Sequence, residues 1–259
     1  MKDYLEDRKI DNKYIRVNQI LGGIAIALIM IMILVVGSLI QYKEYVEALI
    51  LFIIFILLIT PIIIIEAKAR KKYNKIFKQR KAYYVFNLNK EYTYDDIVLL
   101  LYNIKKKKDK WHIEHENEVI FRLKYGFVHN YIYRINIIKY NNFTEDEYKS
   151  KVIKLNKEYT DKLGTDHDNY CRAGKYRGNW TAQLHRINFI CSNELNSELE
   201  KIISKNAYYY MMSLVTSQTI IIMGDKMYIP SIRTAPGEGI LKYTRTLNYV
   251  FKWFNIEAP

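Results

Sequence analysis

The sequence predicts an α+β protein anchored by a transmembrane helical hairpin, and three observations carry that prediction. Two uncharged apolar runs, Val17 to Tyr42 and Ala48 to Ile65, lie near the N-terminus with one short polar turn between them. Lys68 to Lys81 then holds eight basic residues and no acidic one. From Tyr83 onward, strand-like and helix-like periodicities alternate in a soluble-looking domain.

Length decides how the apolar runs are read. A helix rises about 1.5 Å per residue and crosses a hydrocarbon core of roughly 30 Å with about 20 apolar residues. The first run therefore spans comfortably and the second just spans. A cleaved signal peptide has an apolar core of only about 7–15 residues, so cutting near Val35-Val36-Gly37 is the weaker expectation. Orientation follows from cations, which accumulate on cytoplasmic flanks. Lys2, Arg8, Lys9, Lys13 and Arg16 precede the first span, whereas the turn has only Lys43 against Glu44 and Glu47. Both termini are thus expected in the cytoplasm of a bacterial inner (plasma) membrane protein. The inverted orientation would make Asn142-Phe143-Thr144 and Asn179-Trp180-Thr181 glycosylation acceptors; the cations oppose it. Cys171 and Cys191 form no CxxC pair and fit reduced thiols in that compartment.

The formal charge of +13 is unevenly spread. Residues 1–67 hold 6 Lys and Arg against 7 Asp and Glu, while Lys68 to Lys110 holds 14 against 4. Lys68, Arg70, Lys71, Lys72, Lys75, Lys78, Arg80 and Lys81 are expected to lie on anionic headgroups, each contributing about 1 kcal/mol. Nucleic acid is the less favoured partner because the membrane already accounts for the charge. Within the spans, Gly23 and Ala27 make a small-xxx-small step expected to close the hairpin or to meet another copy. Pro61 is expected to kink the second span. No ionisable residue sits at depth, which argues against an ion pathway.

The boundaries that follow are a cytosolic flank over 1–16, the hairpin over 17–66, a polybasic juxtamembrane helix over 67–81, a first domain half over 82–164, an irregular loop over 165–179 and a second half over 180–259. Tyr83 to Leu88 reads as a strand, and Thr93 to Asp96 opens a helix with Ile97, Leu100, Leu101 and Ile104 inward. Strands fit Trp111 to Glu116, Glu118 to Tyr125 and His129 to Tyr140. Thr144 and Glu147 form a capping box for a helix that buries Tyr148, Val152, Leu155 and Tyr159. Trp180 to Cys191 reads as a strand, Leu195 to Lys205 as a helix and Tyr208 to Val215 as a strand. Thr219 to Met223 and Lys226 to Ile232 read as a hairpin about Gly224-Asp225, followed by a helix from Glu238. Antiparallel pairing is expected, with a strand, helix, three strands, helix unit occurring twice.

Chemistry-bearing residues are few. His112, Glu114 and Glu116 alternate away from His115 along one strand, so they do not converge as zinc ligands do. Asp166, His167, Asp168 and Cys171 share a loop without any metal-ligand spacing. Arg172, Lys175 and Arg177, interleaved with Gly174 and Gly178, are the sharper candidate for an anion, since guanidinium groups grip phosphate bidentately. No Walker loop is present. Arg233 to Gly239 reads as a capped helix start, and the abundant tyrosines as sheet residues bridging core and solvent.

The function expected is that of a non-enzymatic membrane protein, without cofactor or metal, whose cytosolic domain binds a protein partner, a ligand or a second copy: an accessory, scaffold or immunity role. One alternative is an effector that senses an anionic or nucleotide signal at Arg172, Lys175 and Arg177 and clusters its hairpins. Another is a tethered enzyme using His167 or Cys171.

Overall fold

The computed structural model describes residues 2–106, 111–115, 118–125, 129–154, 181–206, 208–211, 215–233 and 237–256. Within them, side chains are described except at 104–106, 111–115, 118–125, 129–134, 181–185, 205–206, 208–211, 215–217, 237–242 and 245. The chain divides into two compact units, residues 2–80 with 233–240, and residues 81–232 with 241–259.

The first unit is built on two long helices, α1 (Lys2–Gln41) and α2 (Tyr45–Lys78). Both are long and apolar enough to cross a membrane. The turn between them closes with the Glu44 amide donating to the Leu39 carbonyl at 2.9 Å, and Lys43 adopts φ +64°. That is a Schellman ending in which a lysine takes the left-handed position usually given to glycine. Along α1 the less exposed positions include Tyr4, Asp7, Asp11, Tyr14, Asn18, Leu21, Ala25, Leu28, Met32, Val36 and Leu39. Along α2 they run Ala48, Leu51, Phe55, Ile59, Ile62, Glu66, Ala69, Tyr73, Phe77 and, just beyond the helix, Arg80. Steps of three and four residues, averaging near 3.5, mark a coiled-coil seam.

Glycine does not close this hairpin. A Cβ added at Gly22, Gly23 or Gly37 would meet nothing within 4 Å, so the small-residue face is open. The seam instead uses Leu21, Ala25 and Leu28. Pro61 lies inside α2, which continues through it, and the Thr60 hydroxyl donates to the Ile56 carbonyl at 2.7 Å.

The second unit is a mixed sheet with helices on both faces. Its strands are β1 (Tyr83–Tyr92), β2 (Trp111–His115), β3 (Glu118–Tyr125), β4 (His129–Lys139), β5 (Thr181–Cys191), β6 (Tyr208–Met211) and β7 (Val215–Pro230). The sheet order is β1-β7-β5-β4-β3-β2, with β6 also paired to β7. Its helices are α3 (Tyr94–Lys106), α4 (145–154), α5 (Ser197–Lys201) and α6 (Gly237–Trp253); α5 runs on through a π-helical turn, Ile202–Asn206.

Pairing differs from the antiparallel expectation at the sheet's centre. β4 pairs β5 in parallel, and β5 pairs the first half of β7 in parallel. Parallel neighbours need a crossover, and α4 and α5 lie on the two crossovers. The expected hairpin at Gly224 is instead a bend within one strand: Gly224 adopts φ +57°, and β7 continues to pair β1. Its second half therefore runs strand, helix, two strands, helix, unlike the first.

Both capping boxes form. The Thr93 amide donates to Asp96 at 3.0 Å and the Asp96 amide to the Thr93 hydroxyl at 3.2 Å. The Thr144 amide donates to Glu147 at 2.7 Å, with the reciprocal bond at 3.3 Å. One face of the sheet packs Ile190 and Ile221 against Tyr148 and Val152 of α4 and Leu199, Ile202 and Ile203 of the α5 segment. Phe86, Phe189, Phe251 and Phe254 form a second buried aromatic group, with ring centroids 5.0 Å (Phe86–Phe251) and 5.7 Å (Phe189–Phe254) apart.

Candidate functional site

Four features stand out: an ion knot and a basic face on the helical unit, and a polar network and a cleft in the sheet unit.

The ion knot closes the charged end of the α1–α2 seam. Arg80 Nη2 lies 2.7 Å from Asp11 Oδ1, and its Nε lies 3.2 Å from Asp7 Oδ1. Nη2 also donates to the Asp7 carbonyl at 3.0 Å, and the guanidinium carbon stands 4.1 Å above the Phe77 ring. Arg80 is 7 % exposed and Asp11 6 %. Tyr14 is fully buried beside them, its ring 4.8 Å from Tyr73 and 5.7 Å from Phe77. Arg80 therefore leaves the set of surface cations: it is a buried partner of two carboxylates, with its guanidinium stacked over an aromatic ring. The spacing Asp7-xxx-Asp11 within a basic flank was the available signal. Lys68, Arg70, Lys71, Lys72, Lys75, Lys78 and Lys81 are all exposed.

The polar network lies on the α4 side of the sheet. Register sets Asn136 of β4, Asn188 of β5 and Thr219 of β7 side by side. Asn136 Nδ2 donates to Asn188 Oδ1 at 2.8 Å, and the Tyr148 hydroxyl lies 2.7 Å from Thr219 Oγ1. Burial pushes the Tyr148 pKa up to about 12, partly opposed by hydrogen bonds with Thr219 and Asn188 and by the charge of Arg186. Arg186 is 1 % exposed. At neutral pH the network thus presents amides, neutral hydroxyls and one cation. Arg186 and Asn188 alternate with Ile187 and Phe189, and this polar-apolar alternation in a central strand was the overlooked sequence signal.

The cleft, of about 440 Å³, opens where β4 and β5 end, lined by Lys139, Cys191, Ser192 and Asn193, by Gly224, and by the corner from Glu91 to Asp95. Carboxyl ends of parallel strands are the usual place for ligands in α/β sheets. The α3 N-terminus at this corner is already occupied by Asp96, whose pKa its Thr93 hydrogen bonds hold down to about 2. Cys191 is buried, and burial pushes its thiol up to about 12, so it stays protonated and unreactive at neutral pH.

Comparison with family models, with curated proteins and with solved structures finds no match to the chain. Its own geometry carries the functional reading.

Arg172, Lys175 and Arg177, and with them Asp166, His167, Asp168 and Cys171, lie outside the described residues. So does Glu116; His112 to His115 lie within β2. Among the described residues, no three His, Cys, Asp or Glu side chains gather as metal ligands do.

Proposed function

We propose that this chain is a two-pass integral protein of a bacterial inner membrane, with both termini cytoplasmic, whose α/β domain binds a protein partner or ligand without transforming it. The carrying observation is the middle of the helical hairpin. There the outward side chains form a broad apolar belt, with Ile20 at 61 %, Leu34 at 66 % and Leu57 at 66 % exposure. Water-soluble proteins do not leave a belt of that extent uncovered. Exposed cations border the belt at the end where the chain enters α1 and leaves α2, and the acidic turn borders the other end. That asymmetry supports the cytoplasmic placement of both termini.

A binding role is supported by the groups the sheet gathers. Tyr148, Asn136, Asn188 and Arg186 offer hydroxyl, amide and guanidinium groups of the kinds that position a ligand or a fold.

Labelling with a membrane-impermeant maleimide tests the anchor. Lys43→Cys is expected to react from outside intact cells, and Lys13→Cys and Lys81→Cys only after permeabilisation. The protein is expected to resist alkaline extraction from membranes. Extraction into the soluble fraction, or protection of position 43, would overturn the reading. Native mass spectrometry of the full chain from its own membrane then tests the binding role: a stoichiometric partner or adduct supports it, and turnover of a co-purifying small molecule overturns it.

A further inference from the structure

A groove of about 720 Å³ runs along one face of α2. Its lining begins with Ile63 and Ala67 and continues with Arg70, Lys71, Lys75 and Lys78. Apolar side chains thus occupy its membrane end and four cations the other. We propose that this groove is a binding site for an anionic phospholipid, with an acyl chain along Ile63 and Ala67 and the phosphate held by Arg70, Lys71 and Lys75. The site rests on the membrane reading above and specifies what the hairpin binds there.

Depth supports the assignment. Ile65 is the last residue of the apolar run. At about 1.5 Å per residue, Arg70 and Lys71 lie about 8–9 Å beyond it, and Lys75 about 15 Å. A headgroup layer is roughly 5–8 Å thick on each side of the hydrocarbon core. Helical side chains tilt toward their helix N-terminus, which for α2 is the membrane side, so the long Lys71 and Lys75 stems lean back toward phosphate depth. Arg70 can add a bidentate contact. Glu66, which also lines the groove, is its one carboxylate among the described residues, against four cations.

A site differs from a diffuse basic collar because position then matters more than charge count. Lys68 and Lys72 are exposed on the same helix but do not line the groove. The test uses the full chain in phosphatidylcholine nanodiscs carrying spin-labelled phosphatidylglycerol, reading the fraction of motionally restricted lipid. Lys71→Gln/Lys75→Gln is expected to lower the preference for phosphatidylglycerol about tenfold. Lys68→Gln/Lys72→Gln, which removes the same charge outside the groove, is expected to leave it within about twofold at 0.15 M salt, where exposed charge away from the retained lipid is screened. Equal loss in both pairs, loss in neither, or displacement of the lipid by inorganic phosphate would overturn the site while leaving the anchor intact. Failure of all forms to enter the discs would instead overturn the membrane reading itself.

Discussion

Removing the Arg80 guanidinium would leave Asp7 and Asp11 facing each other in a closed seam. A buried ion pair adds little net stability over apolar groups of the same shape, yet stripping one partner from it costs about 3–5 kcal/mol. Arg80→Leu is therefore expected to lower the hairpin's melting midpoint strongly in detergent, followed by far-ultraviolet circular dichroism. Arg80→Leu/Asp7→Asn/Asp11→Leu is expected to recover most of the loss; no recovery would assign Arg80 a role other than neutralising those carboxylates. Tyr148→Phe removes a buried hydroxyl from Thr219 and Asn188, and the partners left behind make it cost about 1–3 kcal/mol. Asp96 supplies the acid-side test. Its folded pKa, about 2, lies below the model-compound value of 3.8, so its contribution is complete above about pH 4 and is lost as pH falls through 2. Asp96→Asn is expected to flatten the fall in melting midpoint between pH 4 and pH 2, and an unchanged slope would remove this residue from the acid response.

Elements show how differently two periodicities were legible. The apolar spans, both capping boxes and the strands through β5 follow from side-chain pattern, because pattern reports local geometry directly. Pairing direction does not. Nothing in the alternation within β4 or β5 states that 41 residues from Tyr140 to Trp180 return the chain parallel rather than antiparallel. Gly224-Asp225 carries a hairpin signal, and Gly224 does take φ +57°, yet the segments on its two sides pair different strands and not each other, so the chain bends there without reversing. The bend keeps β7 continuous, so its first half joins β5 and its second half joins β1. Because an added Cβ there meets open space, Gly224→Ala isolates the backbone cost. It is expected to destabilise the sheet unit by about 1–2 kcal/mol by chemical denaturation, with Gly224→Asn closer to the parent. A neutral Gly224→Ala would mean the left-handed conformation is not required. At the candidate sites, the exposed cations of α2 were legible as a basic stripe, but the seam that withdraws Arg80 was not: it emerges only when α1 and α2 are aligned against each other.

Two compact units in one chain bear on how the whole molecule responds to damage. The helical unit depends on a narrow seam and, by the reading above, on lipid or detergent around its apolar belt. The sheet unit depends on buried aromatic and aliphatic packing, including Phe251 and Phe254, both fully enclosed. Chains with more than one core commonly fail to melt in a single step. Heating the full-length protein in detergent is therefore expected to give two transitions, one in near-ultraviolet signal from the packed sheet unit and a later one in helical signal from the hairpin. Phe251→Ala should cost about 3–5 kcal/mol, which for a unit of this size lowers its midpoint by roughly 6–20 °C. It should leave the helical transition in place, while Arg80→Leu should do the reverse. A single transition moved by both substitutions would mean that the two units share one cooperative core, and the chain would then behave as one body rather than as an anchor carrying a separately stable domain.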